Sequence, residues 1–175
     1  MRIAITGHTQ GLGLACANLY VDLGHTVVGL SRSNGYDIGN TSAIIDAIKD
    51  CDVFINNAYS NNSQTILLNK LFALWKDTNK IIINIGSAST VYPRLEENQD
   101  NAAWPYREHK QELEKTFRVL SKTTHQCRMQ LISPGALDTN MIAHINCPKM
   151  ATQDAARIIW RNMYDPYIKE LILYE

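Results

Sequence analysis

A tyrosine and a lysine are the residues best suited to proton chemistry in this chain. Tyr106 and Lys110 lie four residues apart in a segment whose apolar spacing predicts a helix, so their side chains share one helix face. A free tyrosine has a pKa of about 10, which makes it a weak acid and base at neutral pH. A neighbouring ammonium group favours the phenolate and lowers that pKa. The pair is therefore suited to exchange a proton with an oxygen atom on which negative charge develops.

A glycine-rich turn near the start of the chain has the pattern of a phosphate-binding loop. Residues 6–13 read TGHTQGLG and lead from a predicted strand into a predicted helix. Gly7 permits the tight turn, while Gly11 and Gly13 let the backbone and the helix approach a pyrophosphate, toward which the helix N-terminus directs its N–H groups. The pattern predicts a dinucleotide site whose contacts in this segment are Gly7, Thr9, Gln10, Gly11, Leu12 and Gly13.

Further motifs follow this turn in a fixed order. Residues 56–58 (NNA) end one predicted strand, Ser87 follows the next, and Tyr106 with Lys110 comes after both. In this order the motifs resemble the short-chain dehydrogenase/reductase family, which transfers hydride to and from NAD(P). The resemblance implies that Tyr106 is the general acid in reduction and the general base in oxidation, that Lys110 assists it, and that Ser87 holds the substrate oxygen. Asn62 is the nearest match to an asparagine that the family often adds as a fourth catalytic residue.

The end of the second predicted strand indicates which nicotinamide cofactor this chain would use. NAD-specific members of the family have an acidic residue there, which holds the ribose 2′-hydroxyl. This chain has Ser31, Arg32 and Ser33 instead. Because a guanidinium binds a phosphate bidentately, the resemblance implies NADP(H) in preference to NAD(H). The alternative is that Arg32 is a surface residue paired with a nearby carboxylate.

The remaining cofactor contacts are implied by the resemblance alone. Residues 37 and 38 resemble the family's adenine-contacting pair, and residues 57 and 58 would pass close to the cofactor ribose. The Pro-Gly loop at residues 134–139 would hold the nicotinamide carboxamide. Tyr106 and Lys110 would contact the cofactor as well. The other implied contacts are Asp37, Ile38, Asn57, Ala58, Pro134, Gly135, Leu137 and Thr139.

The composition limits the class of protein and its partners. The chain has 175 residues, of which 45% are hydrophobic, and its 17 basic and 17 acidic residues cancel. We therefore expect neither a nucleic-acid nor a membrane partner, and the resemblance implies a small-molecule substrate. The sequence contains no apolar run near the ~20 residues of a membrane helix and no signal-peptide pattern, so a cytoplasmic location is expected. The four cysteines lack metal-site spacing, which predicts free thiols and no bound metal.

Short β-branched runs alternate with segments of helical periodicity along the chain. Strands are predicted at residues 2–6, 26–31, 36–38, 52–56, 80–85, 129–133 and 169–173. Helices are predicted at 12–23, from 41 or 42 to 50, at 63–78, at 106–120 and after 152. This alternation predicts an α/β fold of the Rossmann type, a doubly wound, mostly parallel sheet of about seven strands with helices on both faces. Residues 1–175 are expected to form one NAD(P)-binding domain without a separate substrate domain.

Three features depart from the family pattern. Tyr59 stands where the family usually has a glycine, and the substrate segment after the Pro-Gly loop is reduced to residues 140–148. The segment 88–105 is long and resembles that of the extended branch, which includes nucleotide-sugar epimerases and dehydratases. It is expected to be either a lid, with Tyr92 or Trp104 over the substrate, or a surface loop.

The function that these patterns favour is an NADP(H)-dependent oxidoreductase that interconverts a small carbonyl compound and its alcohol. Two alternatives stay open: a non-catalytic NADP(H)-binding sensor or interaction module, and an epimerase- or dehydratase-like enzyme acting on an activated sugar. Because the predicted helix at 63–78 carries apolar residues on more than one face, a homo-oligomer, either a dimer or a tetramer, is expected. A monomer that uses those residues for its core is the alternative.

Overall fold

The computed structural model describes residues 1–92 and 103–174, and within them the chain forms one sheet of six strands in the order β2-β1-β3-β4-β5-β6. All the neighbouring pairs are parallel, so the chain crosses the sheet between strands. The strands are β1 (Arg2–Thr6), β2 (Thr26–Leu30), β3 (Val53–Asn56), β4 (Ile81–Ile85), β5 (Arg128–Pro134) and β6 (Glu170–Leu173). The helices are α1 (Gly11–Asp22), α2 (Thr41–Ile48), α3 (Ser63–Trp75), α4 (Ala103–Leu120) and α5 (Thr152–Asn162).

Helices cover both faces of the sheet, as the alternating pattern predicted. Successive strand side chains point to opposite faces, so Ile3 and Ile5 join one core with α1 and α5 while Ala4 joins the other with α2, α3 and α4. Since both faces are covered, the central strands are buried on both sides rather than alternately; β3 and β4 are buried along their whole length. The doubly wound Rossmann-type fold is thereby confirmed.

The predicted strand at residues 36–38 is wrong, and the sheet has six strands in the described residues where about seven were expected. After β2 the chain turns through a 3₁₀ segment (Arg32–Asn34), in which Oδ1 of Asn34 accepts the backbone N–H of Ser31 at 2.8 Å. Gly35 follows in the left-handed region with φ 88°. Oδ1 of Asp37 then accepts the N–H of Gly39 at 2.7 Å. These local turn bonds replace the ladder bonds that a strand would need.

Two other predictions bear on the outer parts of the fold. Helix α2 ends at Ile48 rather than at residue 50. Helix α3 buries most of its apolar side chains, but Ile66 and Leu74 stay 46% and 58% exposed.

Residues 93–102 of the predicted lid lie outside the described residues. Among the helices that are described, none combines the length and the apolar character that crossing a membrane requires.

Candidate active site

A large cleft of about 1680 Å³ opens where the carboxyl ends of β1, β3, β4 and β5 meet. The chain order reverses between β1 and β3, since β2 lies on one side of β1 and β3 on the other. Ligands in doubly wound sheets bind at such a reversal point. Of the predicted site residues, all except Gly13 and Asn62 line this cleft.

The glycine turn lies at one end of the cleft. Gly7 and Gly11 have φ angles of 71° and 53°, which residues other than glycine rarely adopt. Gly13 lies below the turn in α1, where a Cβ atom would overlap the carbonyl oxygen of Gly7. The helix thus comes against the turn as closely as backbone atoms allow. The side chain of Gln10, the residue before α1, makes no capping bond to the described helix, and the first residues of that helix, Gly11 and Leu12, line the cleft.

Hydrogen bonds of Thr6 connect the glycine turn to the end of β3. Its Oγ1 accepts the backbone N–H groups of Asn57 at 2.9 Å and Ala58 at 3.0 Å. The side-chain amide of Asn57 donates in turn to the carbonyl oxygen of Thr6 at 2.9 Å. Asn57, predicted as a cofactor contact, therefore also has a structural role, because it keeps two cleft-forming loops in fixed register.

The residues after β2 form the outer wall of the cleft. The hydroxyl groups of Ser31 and Ser33 lie 2.8 Å apart, and Arg32 between them is exposed. Ile38 is buried while Asp37 caps the following turn. The guanidinium of Arg32 is the cationic group of this wall, at the position from which the family resemblance implied contact with a 2′-phosphate.

The loop after β5 forms the wall facing the glycine turn. The N–H of Gly135 donates to the carbonyl oxygen of Leu173 at 2.6 Å, which ties the Pro-Gly turn to β6. Thr139 lies so close to Gly11 that a Cβ added to the glycine would stand 3.2 Å from the threonine methyl group. Leu137 and Thr139 both line the cleft, so this loop and the glycine turn enclose the same space.

Ser87 stands at the end of β4 and begins a short 3₁₀ turn (Ala88–Thr90). Its Oγ accepts the N–H of Ser89 at 3.3 Å and lies 2.9 Å from the Ser89 hydroxyl oxygen. Both serines line the cleft, and Ser87 is 8% exposed. The hydroxyl group of Ser87 is thus fixed by its own turn while it faces the open space.

Tyr106 and Lys110 face the same part of the cleft from α4, as their spacing predicted. The Lys110 nitrogen lies 5.5 Å from the centre of the Tyr106 ring and 5.9 Å from that of Tyr59. The rings of Tyr59 and Tyr106 meet edge to face at 4.8 Å. Burial raises the pKa of the Tyr59 hydroxyl, whose oxygen is 2.9 Å from Nδ1 of His109.

Lys110 is buried at 3% exposure and is held by neutral oxygen atoms. Its ammonium donates to Oε1 of Gln64 at 2.8 Å and to the carbonyl oxygen of Ile85 at 2.7 Å. Burial lowers the pKa of Lys110 from 10.5 to about 7, and the negative charge of Glu114 offsets part of that change. Near neutral pH this lysine is therefore poised between its charged and neutral forms.

Gln64 is the residue of this site that the sequence analysis missed. It stands at the second position of α3, whereas the predicted Asn62 precedes the helix, lines no part of the cleft and leaves Oδ1 buried without a partner among the described residues. Gln64 lies one turn before Leu67 and Leu68 on the buried stripe of α3. A polar residue on an apolar helix stripe is the sequence signal by which it could have been found.

Aromatic side chains line the part of the cleft that contains Tyr106. Tyr92 and Tyr174 approach each other with ring centres 4.9 Å apart, and both line the cleft beside Tyr59 and Tyr106. Tyr92 was one of the two residues proposed to lie over the substrate. The other, Trp104, is 47% exposed and contacts the guanidinium of Arg107 instead. Within residues 1–92 and 103–174, no three His, Cys, Asp or Glu side chains group as a metal site would require.

Comparison with solved structures identifies the fold. A short chain dehydrogenase from Burkholderia cenocepacia J2315, in complex with NADP, superposes with a TM-score of 0.82 at 19% sequence identity, over 99% of this chain and 88% of that one. A 3-ketoacyl-(acyl-carrier-protein) reductase from Brucella melitensis, complexed with NADH, gives 0.79 at 16% identity, over 98% and 95% of the two chains. A small-chain dehydrogenase in complex with NADPH gives 0.77 at 16% identity, over 100% and 96%.

The chain therefore has the fold of the short-chain dehydrogenases/reductases, as the order of its motifs predicted. No protein-family model matches the sequence, and neither does any curated protein. The likeness lies in the path of the backbone, whereas the activity depends on the side chains of the site.

Proposed function

We propose that this chain is an NADP(H)-dependent oxidoreductase of the short-chain dehydrogenase/reductase type, formed as one nucleotide-binding domain, which interconverts a small carbonyl compound and its alcohol. The observation that carries this proposal is the shared cleft. Tyr106 and Lys110 reach it from one face of α4, Ser87 reaches it from the end of β4, and the glycine turn forms its other end.

The residues of the cleft fit a dinucleotide. The glycine turn has space for a pyrophosphate because Gly7 and Gly11 adopt conformations that only glycine tolerates well, and α1 begins directly behind them. The loop at residues 134–139 would hold the nicotinamide end. When bound, the nicotinamide ring would give a hydride to the carbonyl carbon or take one from the alcohol.

The chain's own residues would handle the oxygen and its proton. In reduction, the Tyr106 hydroxyl donates its proton to the substrate oxygen as negative charge develops there, and in the reverse direction it takes the proton back. The hydroxyl of Ser87 donates a hydrogen bond to the same oxygen. Lys110, 5.5 Å from the Tyr106 ring, favours the phenolate while its ammonium is charged.

A preference for NADP(H) is supported by the charge at the end of β2. Ser31 stands where an acidic residue would hold a ribose 2′-hydroxyl, and the exposed Arg32 follows it at the cleft wall. A guanidinium attracts and can bind a 2′-phosphate bidentately.

Titration with NADPH and NADH, followed by thermal unfolding, tests the cofactor assignment. A ligand that binds only the folded state adds about 2.7 kcal/mol of stability at a hundredfold excess over its Kd. NADPH should bind more tightly than NADH, and Arg32→Ala should remove the difference, while Arg161→Ala on the exposed side of α5 should leave it unchanged. Equal affinity for both nucleotides in the native protein would contradict the preference.

Turnover of Tyr106→Phe tests the chemistry. The variant should bind NADPH as the native protein does but lose at least about a hundredfold in carbonyl reduction, the usual contribution of a general acid. Full activity in this variant would refute the assigned role. Nucleotide binding without turnover of any carbonyl substrate by the native protein would favour the sensor alternative.

A further inference from the structure

A buried carboxylate lies directly behind Ser87. Glu114 follows Lys110 by one turn of α4 and is 3% exposed. Its Oε1 accepts the hydroxyl of Thr90 at 2.7 Å and lies 3.5 Å from the hydroxyl oxygen of Ser133 on β5. The backbone N–H of Ser87 also acts to lower the pKa of this carboxylate. One side chain of α4 therefore holds the far end of the turn that carries the Ser87 hydroxyl.

The bond from Thr90 is the stronger of two that its hydroxyl can form. Oγ1 of Thr90 also lies 2.8 Å from the carbonyl oxygen of Ser87. Because a hydroxyl has a single proton, it serves one acceptor at a time or divides its bond between the two. A charged carboxylate is the better acceptor, by roughly a factor of two in strength. The turn is thus fixed to α4 more firmly than to itself.

The backbone at Gly86 makes the contact possible. A Cβ atom at this position would stand 3.3 Å from Oε1 of Glu114 and would crowd the hydroxyl of Ser133. The end of β4 therefore lacks a side chain where the carboxylate approaches. Three segments of the site meet at this point: the turn after β4, the end of β5 and helix α4.

The charges that face Glu114 come from its own helix and from β6. Oε2 accepts from the guanidinium of Arg118 at 3.5 Å, and Arg118 is bound to Glu170 of β6 at 2.9 Å. Burial raises the pKa of Glu114, while the bond from Thr90 and the charge of Arg118 act in the opposite direction. The negative charge of Glu114 also favours the ammonium form of Lys110.

We propose that Glu114 is a positioning residue, which holds the turn of residues 87–90 so that the Ser87 hydroxyl faces the oxygen of the substrate. It acts through Ser87 and touches neither substrate nor cofactor. The role in catalysis rests on the proposed function, because Ser87 is the group that it presents. The contacts themselves do not depend on any activity, so the two parts can be tested separately.

Amide hydrogen exchange of the full chain, measured by NMR, tests the contacts without a substrate. In Glu114→Gln the neutral amide is a weaker acceptor for the Thr90 hydroxyl, so the Thr90 N–H, bound to the carbonyl oxygen of Ser87 at 3.3 Å, should exchange about tenfold faster than in the native protein. The N–H of Gly86, bound to the carbonyl oxygen of Ile132 at 2.8 Å, should keep its rate and serves as the internal reference. Glu112→Gln, an exposed position on the same helix, is the matched control. An unchanged Thr90 rate would overturn the proposal.

A double-mutant cycle tests whether Glu114 acts through Ser87. Glu114→Gln should lower kcat by about tenfold when Ser87 is present and by less than about twofold in the Ser87→Ala background. Losses that simply multiply would show that Glu114 acts elsewhere and would overturn the positioning role. If the native protein turns over no carbonyl compound, the proposed function fails, while the exchange rates still decide whether Glu114 holds the turn.

Thr90 provides a second route to the same answer if Glu114→Gln folds poorly. Thr90→Val keeps the shape and removes the hydroxyl that the carboxylate holds, whereas Thr90→Ser keeps the hydroxyl. The valine variant should lower kcat with little change in KM, and the serine variant should restore it. Equal activity of the two variants would contradict the proposed contact.

Discussion

The ammonium of Lys110 donates a 2.8 Å hydrogen bond to the side-chain oxygen of Gln64, and this contact joins two buried residues of α4 and α3. The amide nitrogen of Gln64 donates to the carbonyl oxygens of Asn56 at 2.7 Å and Ile85 at 3.2 Å. Since both protons of that nitrogen have acceptors, Oε1 must face the lysine. The two strands at the centre of the sheet thus fix the position of the site's lysine through one glutamine.

Replacement of Gln64 should affect both stability and the charge on Lys110. Gln64→Leu leaves the buried ammonium with one acceptor fewer, which should cost about 1–3 kcal/mol in the free energy of unfolding. Gln64→Glu places a carboxylate against the ammonium and should raise the lysine pKa. Urea unfolding measures the first effect, with Gln111→Leu, exposed on α4, as the control. Equal stability of the Gln64→Leu and control variants would show that the contact contributes nothing.

The pH profile of carbonyl reduction should report the titration of Lys110. The value of kcat/KM follows groups of the free enzyme, and burial lowers the pKa of this lysine to about 7. As the pH rises through that value the ammonium loses its proton, so kcat/KM should fall above about pH 7. In Gln64→Glu the same decline should begin at higher pH. A profile that is flat from about pH 6 to 9 would mean that the charge on Lys110 is not required.

The stability of the protein should carry the opposite pH dependence. Between about 7 and the ordinary 10.5, the unfolded lysine binds a proton that the folded one has lost, so the free energy of unfolding rises with pH through this window. Below the folded pKa the lysine is protonated in both states, so it adds no pH dependence to the free energy of unfolding. Lys110→Met lacks this term, so the native protein should gain stability relative to the variant as the pH rises above about 7.

Urea unfolding at several pH values measures that difference. Lys115→Met, exposed on the same helix, should differ from the native protein by the same amount at every pH. A pH-independent difference for Lys110→Met as well would indicate that the buried lysine keeps an ordinary pKa.

How far the sequence predicted this site depended on the range of the interactions involved. The strands and the order of the motifs were readable because apolar periodicity and glycine positions are local signals. The false strand at 36–38 arose because β-branched and aromatic residues also occur in turns, where the side chains of Asn34 and Asp37 take over the backbone bonds. The strand propensity of residues 36–38 does not show that side-chain bonds to the backbone would replace the bonds of a strand.

The contacts within the site were harder to predict, since they join residues far apart in the chain. Gln64 meets Lys110 across 46 positions, and His109 meets Tyr59 across 50. Asn62 was chosen by analogy of position, but α3 begins one residue later and turns Gln64 toward the lysine instead. The packing of the whole helix decides which residues of its first turn face the sheet. The apolar periodicity of the sequence defines this first turn poorly.

Tyr59 should matter through its ring more than through its hydroxyl. Tyr59→Phe removes the contact with His109 but keeps the edge-to-face packing on Tyr106, so the free energy of unfolding should fall by about 1 kcal/mol or less. Tyr59→Ala removes the ring pair as well, which should lower the free energy of unfolding by about a further 0.5–1.5 kcal/mol. It should also lower turnover, because the Tyr106 ring loses the ring that packs against it. Tyr167→Ala, at a residue 92% exposed, is the control for loss of a tyrosine. Equal turnover in the alanine and phenylalanine variants would exclude a role for the ring.

Gly13→Ala tests whether the glycine turn is the phosphate site. A Cβ atom there would overlap the backbone oxygen of Gly7, and because that atom belongs to the turn, the turn itself has to move. We expect a loss of about 1–3 kcal/mol in stability and at least about a tenfold loss in NADPH affinity. Gly39→Ala is the control for the loss of stability alone, since its Cβ would meet only the end of the exposed Asp37 side chain at 3.1 Å. Native NADPH affinity in a folded Gly13→Ala variant would show that the phosphates bind elsewhere in the cleft.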